Sequence, residues 1–305
     1  MKPKRDLIAW STLLYAVVVL ASLPITAQAG ATLPYGFDPG LAMIIAQVGT
    51  ILLPTLIFLA LIREPAQEML SLRRLDFGSA ARSFLVGILC WPMFTFLSTL
   101  AMILVGLLHP AGADSSSSVA SAGGSSWLVL FGVTLVAPLC EETLFRGVLL
   151  GTYQGRLASH AIWLVAILFA FLHPSLDQVL GALFLGNICG WVVYRTRSLW
   201  SGVLVHAGTN LVGGALALLA SLAAPSALEG AAQTGDAAAM VWIGALVWAV
   251  IGLVMLIPVF FLLRSIARRH VAPHAAAGID LSLNALWAPA VAMIGVVGYT
   301  IYDLL

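Results

Sequence analysis

Two adjacent carboxylates lie inside a long apolar run of the sequence. Glu141 and Glu142 follow the apolar stretch 127–140 and precede the apolar residues 147–150. A charge at the centre of a membrane-spanning helix costs at least ~2.5 kcal/mol on insertion scales, so an acid at this depth indicates a functional site by default. Arg146 follows Glu142 by four residues, which places both side chains on one helix face, where they can form an ion pair.

Two histidines and an asparagine occupy other apolar segments. His173 follows Phe169 by four residues, and Asn210 follows His206 by four, so each pair lies on one helix face. A partly dry glutamate such as Glu141 is a competent general base, and imidazole and carboxamide groups can donate hydrogen bonds to an oxyanion. Glutamate and histidine also bind zinc with a position open for water, although the chain has no His-Glu-x-x-His motif. The set predicts activation of water, with the metal question left open.

Each of these residues also has a purely structural interpretation. Glu142 and Arg146 are explained at least as well by a structural ion pair as by direct chemistry. His173 alone, or His206 with its neighbouring amide, would fit a hydrogen bond between membrane helices. Phe169 is most simply a packing residue. The functional interpretation is favoured because all of these side chains occur together with Glu141.

The composition predicts that helices in a bilayer position these side chains. Hydrophobic residues make up 61% of the 305-residue chain and charged residues 9%, whereas soluble domains carry ~25% charge. No basic or aromatic cluster indicates nucleic-acid binding, and the three cysteines predict no disulfide framework because all lie in apolar runs. The fold class is all-α, a polytopic bundle of eight or nine transmembrane helices. The expected segments are about 7–25, 41–62, 83–108, 127–151, 160–173, 178–194, 199–222, 239–263 and 284–302.

The basic residues predict the orientation of these segments. All 14 Lys and Arg fall on alternate loops or at the same ends of helices, and the other loops (28–40, 109–126, 174–177 and 223–238) contain none. Positive residues favour the cytoplasmic side, so the N-terminus is expected in the cytoplasm. The first segment fits either an uncleaved helix, which we favour, or a signal peptide. High Ala, Gly and Leu content and short loops favour a bacterial inner membrane.

Three motifs in order resemble those of the CPBP family of intramembrane proteases, which includes the type II CAAX prenyl endopeptidases and bacteriocin-processing or immunity proteins. A Glu-Glu-x-x-x-Arg motif matches 141–146, a Phe-x-x-x-His motif matches 169–173, and a His-x-x-x-Asn motif matches 206–210. The resemblance covers about residues 127–220. It implies three regions: N-terminal helices with a Ser/Gly-rich loop (1–126), a catalytic core (127–222) and C-terminal helices (223–305).

The resemblance also implies roles for the site residues. Glu141 would activate water that His173 helps to hold, while His206 and Asn210 would stabilise the oxyanion. Glu142 and Arg146 would support that site, together with Phe169. The family is often labelled metalloprotease, so the cofactor is unknown: a divalent metal such as zinc, if bound, would use Glu141, His173 and His206.

The implied activity is endopeptidase cleavage of a membrane-embedded or lipid-modified polypeptide, with the bilayer and that polypeptide as partners and no nucleic acid. One alternative is a catalytically silent scaffold or bacteriocin-immunity protein of the same fold. A second is an ion-coupled transporter with an intramembrane carboxylate relay.

Overall fold

A computed structural model describes residues 7–28, 38–62, 66–108, 126–157, 159–173, 175–223 and 237–270. We number the helices of these residues in chain order. Two of them, α2 and α5, are continuous helices that contain π-helical turns. The helices are α1 Leu7–Gln28, α2 Pro39–Ile62, α3 Ala66–Met69, α4 Phe77–Leu108, α5 126–157, α6 His160–Leu172, α7 Val179–Thr196, α8 Leu199–Ala223 and α9 Ala237–Arg269.

The described residues confirm an all-α, polytopic membrane fold. Six helices are long and apolar enough to cross a membrane: α2, α4, α5, α7 (with the turn before it), α8 and α9. Helix α6 is apolar but has only 13 residues, and α1 is apolar over Leu7–Ser22. Within the described ranges, β-structure is limited to one isolated bridge between Leu72 and Ser198. The predicted ninth segment, 284–302, lies outside these ranges, so the count of eight or nine spans stays a prediction.

Two helix ends near the site follow from local sequence. Helix α2 begins where the Asp38 carboxylate accepts hydrogen bonds from the backbone N–H groups of Gly40 (2.8 Å) and Leu41 (3.2 Å), as an N-cap does. Helix α6 ends at Leu172, and His173 is extended with φ −76° and ψ 120°. A residue before proline is restricted to such angles, and Pro174 comes next. The local sequence thereby turns His173 out of the helix on which its predicted partner Phe169 lies.

π-helical turns interrupt the two helices that carry Gln47, Glu141 and Glu142. Helix α2 has one at Val48–Leu52, and α5 has two, at Gly132–Val136 and Thr143–Leu149. The first two turns each come just before a proline, Pro54 or Pro138, which has no N–H to donate to the helix ladder. π-Turns are rare and are frequent at functional sites. The two turns of α5 enclose the short α-helical stretch that holds the acidic pair.

Close backbone approaches hold α8 against α4. A Cβ atom at Gly87 of α4 would lie 1.9 Å from the Val205 carbonyl oxygen of α8, and one at Gly208 would lie 2.4 Å from the Phe84 carbonyl oxygen. Small residues permit this contact between membrane helices. Because Val205 directly precedes His206, this contact fixes the depth and rotation of a predicted site residue.

Helix α1 joins the same bundle through buried hydrogen bonds. The Tyr15 hydroxyl donates to the Leu168 carbonyl of α6 (2.9 Å), and the hydroxyls of Thr12 and Tyr153 of α5 are 2.7 Å apart. Both α1 side chains are buried. The bonds connect α1 to the two helices that carry Glu141 and Phe169.

Candidate active site

The middle of α5 is the most enclosed stretch of the described structure. Every residue from 140 to 150 is buried, and this part of α5 contacts α1, α2, α6, α7 and α8. The acidic pair and Arg146 therefore lie inside the protein rather than against lipid. A charge enclosed in this way must be paired or hydrogen-bonded to be tolerated.

The predicted pair of Glu142 and Arg146 forms, and it is fully buried. Arg146 Nη1 donates to Glu142 Oε1 across 2.7 Å. The same carboxylate oxygen accepts a hydrogen bond from Nδ1 of His206 on α8, at 3.0 Å. Glu142 is thus more than a local ion-pair partner, because it also orients an imidazole from another helix. That contact fixes the ring so that Nε2 points away from Glu142.

Arg146 links α5 to two further helices. Its Nη2 donates to the Gly186 carbonyl of α7 at 2.9 Å. Its guanidinium carbon lies 4.6 Å from the centre of the Phe169 ring of α6, within the range of a cation–π contact. One side chain therefore holds α5, α6 and α7 together around the acidic pair.

Glu141 is held at one oxygen and unpartnered at the other. Gln47 Nε2 of α2 donates to Glu141 Oε1 at 3.1 Å. Glu141 Oε2 is buried without a hydrogen-bond partner among the described residues, and it lies 4.0 Å from His206 Nε2. That separation is too long for a direct hydrogen bond. It matches the span of two polar atoms that share one water molecule.

Glu142 also has an unpartnered oxygen, but its surroundings differ. A Cβ atom at Gly202 would lie 2.7 Å from Glu142 Oε2 and equally close to the Val193 side chain. The space beside this oxygen is therefore closed by α8 and an apolar side chain. Among the described residues, neither Oε2 has a hydrogen-bond partner, and Glu141 Oε2 lies 4.0 Å from His206 Nε2.

Phe169 lies between the two predicted histidines. Its ring packs edge-on against His173, with centroids 5.0 Å apart, and against His206, with centroids 5.5 Å apart. The His173 Nδ1 is 3.1 Å from the Phe169 carbonyl oxygen, which can only accept, so Nδ1 is the donor and Nε2 faces away from this bond. Phe169 is a buried packing residue, and it also sets the spacing of the two imidazoles.

Asn210 bonds to the backbone of α5. Its Nδ2 donates to the Val133 carbonyl at 2.9 Å, inside the first π-turn of α5. Carbonyls in such a turn lack the regular helical pattern of donors. The side-chain amide has a second N–H, which this bond leaves free to donate elsewhere.

Sequence reasoning missed Gln47, Gly186 and Gly202. Gln47 is the polar residue of α2 that reaches the general-base candidate, and a polar side chain inside a predicted span is the signal that could have identified it. The two glycines carried no such signal, because Gly186 contributes only a backbone carbonyl and Gly202 only the lack of a side chain.

The suggested metal ligands were tested against this geometry. Among the described residues, no group of three or more His, Cys, Asp or Glu side chains is arranged to hold a metal ion. Glu141 and His206 face one another, while the Nδ1 atoms of both histidines are engaged by Glu142 and the Phe169 carbonyl. Engagement of Nδ1 leaves Nε2 of each histidine as the ligand atom for a metal, but the three suggested ligands do not converge on one point, and the zinc alternative stays a prediction.

The fold and site define a polytopic helical membrane protein with a buried Glu–Arg–His cluster. The family model described as Type II CAAX prenyl endopeptidase Rce1-like matches residues 123–212, a stretch that contains all three motifs. The match confirms the resemblance to CPBP intramembrane proteases and supports CAAX-type protease activity on polypeptides in a bilayer. A search of curated proteins found no match. A search of solved structures found none either.

Proposed function

We propose that this chain is an intramembrane endopeptidase that hydrolyses a membrane-embedded or lipid-modified polypeptide with water activated by Glu141. The observation that carries the proposal is the 4.0 Å gap between the unpartnered Glu141 Oε2 and His206 Nε2. Gln47 and Glu142 hold the two sides of that gap in place through separate hydrogen bonds. A water molecule between two such fixed polar atoms is oriented before it reacts, which lowers the reorganisation that attack requires.

Charge balance defines the protonation state that this mechanism needs. Glu141, Glu142 and Arg146 together carry one net negative charge in a buried cluster. One additional proton, on either Glu141 or His206, makes the cluster neutral, and buried charges are costly unless they are compensated. With the proton on His206, the ring donates from Nδ1 to Glu142 and from Nε2 toward the gap. Glu141 is then the free base.

Hydrolysis follows from that state. The water oxygen attacks the peptide carbonyl carbon while Glu141 takes the water proton. The His206 Nε2–H and the second amide N–H of Asn210 donate to the oxyanion, a role that commonly contributes several kcal/mol. The resemblance implies that His173 helps to hold the water, with Nε2 accepting a hydrogen bond from the O–H that is not deprotonated. When the tetrahedral intermediate collapses, the C–N bond breaks and Glu141 returns its proton to the leaving amine.

The decisive experiment compares peptide termini in membranes that express the wild type or Glu141→Gln at equal levels. Glutamine keeps the size of Glu141 and an oxygen that can accept the Gln47 hydrogen bond, but it cannot take a proton. Removal of a general base costs ~10²–10⁴-fold in rate, so termini produced by the wild type should disappear. Asp76→Asn is the control, because Asp76 is an exposed acid just before α4, outside the site, and asparagine also caps helices.

Three results would contradict the proposal. Identical termini in membranes with wild-type and Glu141→Gln protein would exclude Glu141 as the base. A wild-type phenotype that persists in Glu141→Gln, without any new termini, would favour the silent scaffold. Ion-dependent uptake into proteoliposomes that Glu141→Gln abolishes would instead favour the transporter.

A further inference from the structure

A basic cavity of about 780 Å³ lies beside the site but does not contain its reactive side chains. Its wall includes the end of α5 (Leu150 to Gly155), the end of α7 (Val193 to Arg197) and the loop after α3. Glu141, His173, His206 and Asn210 do not line it. Because it lies where apolar spans end, the cavity is at the boundary between the bilayer and water, on the face that the basic residues predict to be cytoplasmic.

Four arginines and one glutamate supply the charge of this cavity. Arg73, Arg74 and Arg197 are exposed, and the described residues contain no ion-pair partner for their guanidinium groups. Arg146 also lines the cavity. It is 1% exposed, and its buried Nε has no hydrogen-bond partner in the described structure. Guanidinium groups that converge in this way suit a phosphate or another oxyanion.

The backbone that presents these arginines is strained, and hydrogen bonds hold it in place. Ser71 (φ 51°) and Arg197 (φ 52°) are the two non-glycine residues with positive φ among those described, and both line the cavity. Arg197 occupies the position after α7 where glycine is usual. Strained residues persist where the surrounding structure requires them and often mark ligand sites.

Contacts between the two strained segments hold the cavity in shape. The Leu199 N–H donates to the Ser71 carbonyl (2.9 Å), and the Ser198 hydroxyl donates to the Arg73 carbonyl (2.8 Å). These bonds bracket the isolated bridge between Leu72 and Ser198. The loop after α3 is therefore fixed against the α7–α8 turn, with the arginines of both segments on one cavity.

We propose that this cavity binds the phosphate group of an anionic phospholipid. Basic pockets between membrane helices on the cytoplasmic side suit anionic lipid headgroups, and this cavity lies where α5 and α7 end. Its position beside the reactive residues, rather than around them, favours a lipid over the peptide that is cleaved. Through Arg146, a bound phosphate would share a guanidinium with Glu142, so lipid would brace the ion pair that orients His206.

Binding can be measured without any proteolysis, so this proposal and the proposed function fail independently. The full chain, purified in a neutral detergent, is mixed with short-chain phosphatidylglycerol, short-chain phosphatidylcholine, inorganic phosphate or an aspartate-rich peptide. Thermal unfolding and native mass spectrometry report binding. We expect phosphatidylglycerol to raise Tm and to remain bound, and the other three probes to have little effect.

The variants locate the effect. Arg73→Gln, Arg74→Gln and Arg197→Gly should each weaken phosphatidylglycerol binding by about tenfold, because each removes a charged hydrogen-bond donor. Arg197→Gly also relieves the strained backbone, so its Tm without lipid should equal or exceed that of the wild type, which separates lost binding from lost folding. Arg268→Gln, an exposed arginine of α9 outside the cavity, is the matched control and should bind as the wild type does.

Four outcomes would overturn the proposal. They are an unchanged phosphatidylglycerol response in all three cavity variants, an equal response to inorganic phosphate, a response to the acidic peptide instead of the lipid, and no response to any of the probes.

Discussion

Helices α5 and α9 are both long, apolar spans of similar length, yet they occupy opposite environments. In the most apolar window of α5, 56% of the residues are buried inside the protein, compared with 11% in that of α9. The acidic pair, Arg146 and the continuous buried stretch 140–150 occur on α5. Helix α9 presents large hydrophobic side chains such as Leu246, Leu253 and Phe261. The rest of the protein leaves each of them more than 60% exposed.

The difference shows what apolarity means in a bilayer. Lipid is as apolar as leucine, so burying leucine against another helix gains little, and close packing and hydrogen bonds hold the helices together instead. The less apolar α5 is therefore inside, and the more apolar α9 faces outward. Polar side chains on α5 both stabilise the bundle and supply the chemistry, and substitutions in the two helices should have very different effects.

The largest expected effect is the loss of the buried ion pair. Glu142→Ala removes the acceptor of both Arg146 and His206 and leaves a guanidinium buried without a counter-charge. We expect the free energy of unfolding to fall by roughly 3–5 kcal/mol, measured by thermal or denaturant unfolding in detergent. The double variant Glu142→Leu with Arg146→Met should recover much of that stability without activity. If Glu142→Ala were as stable as the wild type, the ion pair would not explain why α5 is held inside the bundle.

Next in size is a matched pair of glycine substitutions. In Gly87→Ala, the new Cβ meets the Val205 carbonyl oxygen at 1.9 Å, which forces α4 and α8 apart. Overpacking of this kind costs about 1–3 kcal/mol, and it should also slow proteolysis by displacing His206. In Gly244→Ala on α9, the Cβ meets nothing within 4 Å, so stability should be unchanged or slightly higher. Equal unfolding midpoints for the two variants would contradict the packing difference.

A smaller effect is expected at Gln47, the contribution of α2 to the site. Gln47→Ala removes the hydrogen bond that fixes Glu141 Oε1, so the base is oriented less well. We expect about a tenfold slower release of product termini, since one hydrogen bond to a charged group is worth about 1.5 kcal/mol or more. Gln47→Glu should slow the reaction further, because a second acid would face Glu141. Full activity in both variants would mean that Glu141 is positioned without α2.

The smallest effect on stability is expected at Asp76, a solvent-exposed residue just before α4. Asp76 Oδ1 accepts the Ser79 N–H at 3.0 Å, and hydrogen bonds from Ser79 hold the pKa of Asp76 below its usual value. Asp76→Ala should cost about 1 kcal/mol, and Asp76→Asn less, since asparagine also caps helices. The folded-state pKa is lowered, so this stabilisation is present above the unfolded pKa of ~3.9. It is lost as the pH falls through the folded value, which pH-dependent unfolding of Asp76→Ala and wild type can measure.

Much of the fold could be predicted because helices depend on local sequence. Proline at 174 and the apolar run before it predicted a short helix that ends near His173, and the structure has α6 at His160–Leu172. The pairing of Glu142 with Arg146 followed from a spacing of four residues. The predicted boundary of the third segment at 83 was wrong, because α4 begins at Phe77, where Asp76 provides a cap.

For the described residues, the sequence by itself determined that the apolar segments form helices, that Glu142 and Arg146 share one helix face, and that two acids and two histidines occupy apolar surroundings. The tertiary structure alone decided that Glu142 orients His206, that Gln47 holds Glu141, and that arginines from two distant loops meet in one cavity. The physical reason is the separation along the chain of the residues that interact. Helical hydrogen bonds and i,i+4 pairs form within a few residues, whereas these contacts join residues 64 and 94 positions apart and depend on how closely glycine lets the helices approach.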